Sequence, residues 1–506
     1  MSHDRLVNLI FQTQTTQQEE PSMPFLPTAA QALRERFIGL DLAKRETQLS
    51  VLNTAGEEIA VKRFLTRREQ FQQLADELNA NDTVALEVTT NAFAVVRLLE
   101  RSGARIILSN PIKTRVIAEA KIKTDKIDAR VLAELARVNY LPSVWLPDSD
   151  TEALRHFCSD RRSLVDRRTE LKNTVHSVLH RNLIPVSHSD LFGTGGQKWL
   201  ESVLADQDDE AATNIPLDPI DRLRVRALLL ELERLEQSLK ELEGCIAAFI
   251  AARPALRAQL DHLLSIPGVS LVVGAGLLAA IGNVQRFHSP KRLAAYFGLV
   301  PATYQSGDPR RKHGPITKRG RAQARWLAVE AAEHLRKAPG PMRALYTRIY
   351  RKRGHNVAVT AVARKLTELV WYLLIRESDY LYQLPRLADE KRARVRFLAR
   401  RRVGLRTPSA ARKLSGRTAL YGSGIAGRSF KTKIVRHAAK QAEDLYAAIV
   451  GNTHQPKAAK SIETESPNFD PTRPRTVDWE LLLRQAATDL LEDHSNSSHR
   501  KEKRNH

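Results

Sequence analysis

Hydrophobic and polar positions change their rhythm several times along the chain, and each change marks an element. Arg36-Phe-Ile-Gly-Leu-Asp-Leu-Ala is a short apolar run holding one acid, Asp41. Thr47 to Asn53 alternates as a strand, Ala55-Gly56 reads as a turn, and Glu58 to Leu65 makes a third strand. Residues 67–79 place Phe71, Leu74, Ala75 and Leu78 at helical spacing, and Thr83 to Val88 is a fourth strand carrying Glu87 near its end. A helix (Ala92 to Arg101), a strand (Ala104 to Leu108) and a further helix follow. Then comes a helix opened by Asp125 and Asp128, with Ala129, Val131, Leu132, Leu135 and Ala136 behind them. Over residues 222–250 the spacing alternates between three and four: Val225, Leu228, Leu232, Leu235, Leu239, Leu242, Ile246, Phe249. That is an a/d seam about four heptads long, which needs a partner. Another helix of the same chain could supply it; the sharper expectation is self-association.

Three strands, a helix, a strand, a helix, a strand and further helices is the element order of a ribonuclease-H-like (RuvC-like) α/β fold. The expected architecture is therefore α/β plus α. Residues 1–34, Gln/Thr-rich with Pro21, Pro24 and Pro27, read as a disordered extension. Residues 35–145 form the RuvC-like domain, 146–255 a basic helical linker and coiled coil, and 256–384 a mostly helical domain. Residues 385–506 read as a basic, partly disordered extension that contacts nucleic acid.

Composition narrows the partners. The chain of 506 residues carries 80 Lys+Arg against 57 Asp+Glu, a formal net charge of +23, which points to a polyanion such as nucleic acid. Cys158 and Cys245 form no CxxC and no disulfide framework, as suits a reducing cytoplasm. Leu6 to Phe11 is too short for a secretory signal, and no apolar run approaches the ~18 residues of a membrane span. The expected location is the cytoplasm.

Candidate chemistry centres on four acids. In a ribonuclease-H-like sheet the first and fourth strands are neighbours, so Asp41 and Glu87 should converge at their carboxyl ends. Asp125 and Asp128, three apart on a helix, share a face and join them from the side. Four oxygen donors suit a hard divalent ion, Mg²⁺ (or Mn²⁺), which can steady a phosphodiester displacement. Lys123, Lys126 and Arg130 flank the pair and read as nucleic-acid contacts. The helix from Glu152 to Leu183 carries Arg155, Arg161, Arg162, Arg167, Arg168, Lys172 and Arg181. Its His176 and His180, four apart, lack partner ligands, so the reading is a phosphate-facing helix rather than a metal site. Phe192-Gly-Thr-Gly-Gly lacks the context of a Walker loop. Leu264-Ser-Ile-Pro-Gly-Val-Ser is similar to a helix-hairpin-helix turn whose backbone N–H groups would face a phosphate. Beyond it, Ser306 precedes a basic run: Arg310, Arg311, Lys312, His313, Lys318, Arg319, Arg321 and Arg325. On composition alone Ser306 is one loop serine among many.

At this point a family resemblance emerges. Gly39-Leu-Asp41-Leu-Ala-Lys, Leu86-Glu87, Asn110-Pro111 and Lys123-Thr-Asp125-Lys-Ile-Asp128-Ala-Arg come first. Ile266-Pro-Gly-Val, Ala295-Tyr-Phe-Gly-Leu-Val-Pro, Gln305-Ser306-Gly307 and Ile316-Thr-Lys-Arg-Gly320 with Arg325-Trp-Leu follow. In this order they resemble a DEDD-type insertion-sequence transposase, of the family of bridge-RNA-guided recombinases, over roughly residues 36–384. The resemblance implies that Asp41, Glu87, Asp125 and Asp128 hold Mg²⁺ and that Ser306 is the nucleophile. It also implies a structured non-coding guide RNA, donor and target DNA as partners, and homodimers assembling to tetramers with a site shared by two protomers. One departure stands beside the second acid: the family's Thr-Gly-aromatic is here Val88-Thr89-Thr90-Asn91-Ala92, and the bulkier Thr90 is expected to reshape that turn. Two other classes fit part of the pattern. One is a RuvC-like nuclease using water; the other is an inactive nucleic-acid-binding remnant.

Overall fold

A computed structural model of the chain describes residues 25–26, 35–111, 113–114, 125–205, 217–304, 312–404 and 430–452. It divides into two compact units, Met1–Pro147 and Asp148–His506. No helix among the described residues is long and apolar enough to cross a membrane.

The first unit is a mixed sheet. Its strands are β1 (Arg36–Leu42), β2 (Glu46–Leu52), β3 (Glu58–Leu65), β4 (Asp82–Glu87) and β5 (Arg105–Ser109), in spatial order β3-β2-β1-β4-β5. β1, β4 and β5 run parallel, whereas β2 pairs antiparallel with both β1 and β3. Period-two alternation sends Ile38, Leu40, Leu42, Val84 and Leu86 into one core with helices α1 (Arg68–Glu77) and α2 (Ala92–Leu99). Phe25 and Leu26 are buried in this core too, Phe25 edge-on to Phe64 at 4.7 Å, so this pair belongs to the fold rather than to a disordered extension. At the amino end of the central pair, Arg36 donates to both carboxylate oxygens of buried Asp82, its register partner, at 2.7 and 2.8 Å.

Helix α3 (Asp125–Arg137) covers the opposite face. Its buried Ala129, Ala133 and Ala136 let it lie directly on β1. A Cβ on Gly39 would fall 1.8 Å from the carbonyl oxygen of Ala129 and 2.8 Å from the Ala133 nitrogen. Only a glycine permits that approach.

Among the described residues the second unit is helical apart from one hairpin. Helices α4 (Ser149–Arg181) and α6 (Pro219–Ala251), each of 33 residues, pair antiparallel, with α5 (Thr194–Leu204) between them in sequence. Arg161–Glu243, Arg167–Glu231 and Arg181–Asp221 bridge the pair. The α6 seam is thus occupied within the chain, by α4 on one side and by α13 (Pro385–Arg402) on another. Val225, Leu232, Leu239 and Ile246 are buried there, so the seam does not require a second copy. For the same reason Arg161, Arg167 and Arg181 of α4 serve the helix pair, against the expectation of a phosphate-facing row.

The remaining elements are α7 (Pro254–Leu264), α8 (Leu271–Ile281), α9 (Pro290–Tyr296), the strands β6 (Pro301–Tyr304) and β7 (Lys312–Ile316), α10 (Ala322–Leu335), α11 (Pro341–Arg353), α12 (His355–Arg376) and α14 (Phe430–Asn452). One core runs through Leu154, Ile246, Leu278, Leu327, Leu366, Val395 and Ala442.

The α7–α8 turn departs from expectation. Ser265 through Val269 are buried, and a Cβ on Gly268 (φ 91°) would sit 2.5 Å from the Ala331 carbonyl of α10. Lys391, 8% exposed, donates to the carbonyls of Leu264, Ile266 and Val269 at 2.5, 2.7 and 3.0 Å. The turn is enclosed, so its N–H groups do not face a phosphate. The helix that encloses it begins the C-terminal extension: α13 is a packed element of the core here, not a free arm. Burial, and then neighbouring Arg392, draws the Lys391 pKa down to about 7; three carbonyl acceptors match the three hydrogens of the ammonium.

Two outcomes follow from these contacts. Gly39→Ala should cost at least roughly 1–3 kcal/mol, since backbone must move to admit the methyl. A urea titration of the full chain should show an earlier first transition, and an unchanged midpoint would remove the α3 packing argument. Lys391→Met should cost roughly 1–3 kcal/mol through orphaned carbonyls. Equal stability of variant and wild type would mean the carbonyls find other partners.

Candidate functional site

The acids of the first unit are placed by strand alternation and helix direction. On β1 and β4 the residues that do not enter the main core are Phe37, Gly39 and Asp41, and Thr83, Ala85 and Glu87. Leu40 pairs with Leu86 across the parallel neighbours, so Asp41 and Glu87 are the next positions on both strands, on the face that α3 covers. α3 runs from Ala129 above Gly39 to Leu132 and Ala136, which pack with Phe37, Ala85 and Ile107. Its amino end, with Asp125 and Asp128, therefore lies towards the carboxyl ends of β1 and β4.

Asp41, Glu87 and Asp128 are half-buried, and each is engaged by neighbouring groups. Among the described residues no three of His, Cys, Asp and Glu gather closely enough to hold a metal ion. The side chains of Asp125 and Lys126, and all of Lys123, lie outside the described residues, whereas Arg130 is exposed. As a donor set, carboxylate oxygens on a sheet edge and a helix end fit a hard divalent ion. Thr90 is exposed and is not among the positive-φ residues, so the turn after Glu87 accepts its side chain without backbone strain.

The basic run of the second unit surrounds the β6–β7 hairpin, whose register pairs Pro301 with Ile316 and Tyr304 with Lys312. Residues 305–311 join the strands; Ser306, Arg310 and Arg311 thus lie outside the described residues, as does the Lys312 side chain. At the base of the hairpin, Thr317 N–H donates to Val300 O at 2.9 Å and Arg321 N–H to Tyr296 O at 3.1 Å. Lys318 holds a left-handed φ of 53°, its N–H donating to Gly298 O and its carbonyl accepting from Arg325 at 3.0 Å. A non-glycine residue there is strained, and the two bonds hold it. Arg325 also donates to Phe297 O, so it braces the turn, while Lys318, Arg319 and Arg321 are exposed.

A feature not evident from spacing is an arginine cluster around Tyr296. The Arg286 guanidinium lies over the Tyr296 ring at 4.6 Å, and Arg321 Nε donates to the Tyr296 hydroxyl at 2.9 Å. Burial pushes the phenol up, but Arg321 and Arg286 outweigh it and hold it below its ordinary value. Arg155 joins from α4, donating to Ala279 O, while Arg286 donates to Ile281 O and Ala280 O. These carbonyls form the negative end of α8, which helps to hold the cations. Burial, and then Arg321 nearby, lowers the Arg155 pKa to about 10. Cations that crowd each other this strongly gain from an approaching phosphate. Tyr296 stood within a recognised stretch, yet nothing in the linear chain joins residues 155, 286, 296 and 321.

His176 packs edge-on to Phe192 at 5.7 Å.

Comparison with known proteins bears on both units. Residues 38–183 match a transposase family model of DEDD type named for IS110, and residues 260–347 match the transposase IS116/IS110/IS902 family. The chain is 25% identical over 352 residues to the transposase for insertion sequence element IS1111A of Coxiella burnetii, covering 68% of this chain and 91% of that protein. It is 28% identical over 352 residues to a probable family 20 transposase of Pseudomonas aeruginosa, covering 68% and 98%. A pilin gene-inverting protein of Moraxella bovis is 25% identical over 230 residues, 44% of this chain and 56% of that one. With both matches in the order of the sequence motifs, the chain is similar to insertion-sequence transposases of the IS110 family over both matched stretches.

Proposed function

We propose that this chain is a transposase that cuts and rejoins DNA through a covalent bond to Ser306, with Mg²⁺ or Mn²⁺ held by Asp41, Glu87, Asp125 and Asp128 on a ribonuclease-H-like sheet. The observation that carries the metal reading is the placement of Asp41 and Glu87 side by side, each one residue beyond the Leu40–Leu86 pair on neighbouring parallel strands, under the α3 face. Support for the sheet reading is the order β3-β2-β1-β4-β5 with one antiparallel neighbour. A divalent ion bound by these acids would stabilise charge on a phosphate. The chain's own contribution is nucleophile and cations. The Ser306 oxygen bonds to phosphorus, the bond from phosphorus to one deoxyribose oxygen breaks, and that oxygen leaves as a hydroxyl, with the serine proton balancing it. The phosphate ester conserves bond energy, so a second hydroxyl can reverse the step on another strand. Inversion, the act in the printed name of the Moraxella relative, is an outcome such chemistry allows.

Lys318, Arg319 and Arg321, with Arg286 and Arg155, would hold the phosphate backbone, joined by Arg310, Arg311 and Lys312 from the connecting segment. A structured guide RNA would occupy part of the basic surface, consistent with the net charge of +23.

Ser306→Ala should bind DNA normally and form no protein–DNA adduct on denaturing gels. Alanine at Asp41, Glu87 or Asp128 should lower strand transfer at least about a hundredfold and reduce the rise in Tm on adding Mg²⁺. Strand transfer by Ser306→Ala at the wild-type rate would select the water-using nuclease, and binding without cleavage by wild type the inactive remnant.

Homodimers assembling to tetramers remain part of the proposal, but on a different surface of α6. Ile220, Leu223 and Leu230 are 75, 65 and 58% exposed, spaced three and seven apart, so they line a second stripe outside the covered seam. Leu223→Glu with Leu230→Glu should reduce the mass seen by light scattering while leaving the melt unchanged. Identical mass for variant and wild type would exclude this stripe.

A further inference from the structure

The corner between α11 and α12 carries an aromatic stack set among cations. Tyr346 and Tyr350, one turn apart on α11, stack at 5.5 Å with 18° between their planes. The inner ring is fixed from several sides. The Arg336 guanidinium lies 4.7 Å from its centre, and its hydroxyl is 2.9 Å from His355 Nδ1. His355 Nε2 in turn meets Glu333 at 2.8 Å, and Arg336 Nε donates to the other Glu333 oxygen at 2.7 Å. Burial would raise the Glu333 pKa, but Arg336 and His355 hold it below the ordinary carboxylate value, so the brace is charged. Tyr350, the outer ring, is 51% exposed.

Arg351, Lys352 and Arg353 follow Tyr350 directly and are all exposed, with no ion-pair partner among the described residues. Between Glu333 and Glu368 the sequence has no acid and nine Lys or Arg, so no carboxylate of this stretch competes for them. An exposed aromatic ring on a rigid support, next to unpaired cations, is the combination that binds an unpaired strand. A base stacks on the ring while neighbouring phosphates meet the cations. A duplex keeps its bases inside the helix and cannot use the ring.

We infer that the α11–α12 corner holds single-stranded DNA, one unstacked base lying on Tyr350 and the adjoining phosphates on Arg351, Lys352 and Arg353. The inference rests on the proposed DNA strand transfer, because cutting and exchanging strands exposes unpaired bases; the corner would keep a separated strand in place without contacting the reacting atoms.

The test is photo-crosslinking of the full-length chain to an iodouracil-substituted single-stranded DNA of mixed sequence, with the same sequence as duplex DNA and as single-stranded RNA in parallel arms. The expected crosslink maps to the peptide holding Tyr350. Tyr350→Phe should preserve it, and Tyr350→Ala should abolish it and weaken single-strand binding about tenfold while duplex binding changes less than about twofold. Replacing Arg351, Lys352 and Arg353 together by Gln should flatten the dependence of log affinity on log salt by about two. Tyr350→Ala binding the single strand as wild type does, a crosslink mapping elsewhere, equal losses with duplex, or preference for the RNA strand would each overturn the inference. Crosslinking needs no catalysis. A wild type that crosslinks at Tyr350 but transfers no strand therefore overturns the proposed reaction and leaves the corner standing.

Discussion

The close approach of α3 to β1 is the contact on which the arrangement of acids depends. Gly39 has no Cβ, and Ala129 and Ala133 have the least side chain a helix can offer without glycine's entropy cost. The helix backbone can therefore rest on the strand itself. Two positions on, the same strand face presents Asp41, towards the side of the helix that carries Asp128. The tight packing and the acids come from the same short stretches, Gly39-Leu-Asp41 and Asp125 to Ala133. At the amino ends of the same strand pair, on the opposite face of the sheet, Arg36 and Asp82 neutralise each other out of water.

In the second unit the governing problem is an excess of positive charge. The protein handles part of it by pairing: α4 arginines meet α6 acids, and Arg343 meets Glu443 of α14. Another part is tied to backbone carbonyls, as with Arg155 and Arg286 at the end of α8, Arg325 under the hairpin, and Lys391 on the α7–α8 turn. Two exposed groups of cations, Lys318–Arg321 and Arg351–Arg353, stand beside ordered tyrosines. A uniform positive surface would attract DNA in any pose; localised cations beside an ordered tyrosine favour particular ones.

Lys391 shows how far a basic residue can be from a nucleic-acid contact. It stands in a stretch, Lys391 to Arg402, whose composition looks like a flexible polycation. Yet alternate residues Lys391, Ala393 and Val395, with Ala388 and Ala399, are buried, Arg392 pairs with Asp379, and Arg394 and Arg396 take the solvent side. The aliphatic part of the lysine packs as a hydrophobe while its ammonium closes a turn.

Much was legible in the chain itself. Strands β1 to β5, the helix that opens with Asp125 and the long α6 helix follow from periodicity, because local alternation is enough to define a half-buried strand or an amphipathic helix. The paired motifs around Asp41, Glu87, Lys123 to Arg130 and Gln305 to Gly307 led to the family. Partner choice was not legible. A heptad seam states that a helix needs a neighbour, but the chemistry of leucine is the same whether that neighbour is α4 or a second copy. An Ile-Pro-Gly-Val turn looks ready for a phosphate until a lysine more than a hundred residues away fills its carbonyls. The Tyr296 cluster gathers residues 155, 286 and 321, and the Tyr350 platform needs Glu333 and His355 to hold Tyr346. Local pattern determined the elements and the family; which side chains share a surface was decided only by packing, since burial and charge pairing act through space and not along the sequence.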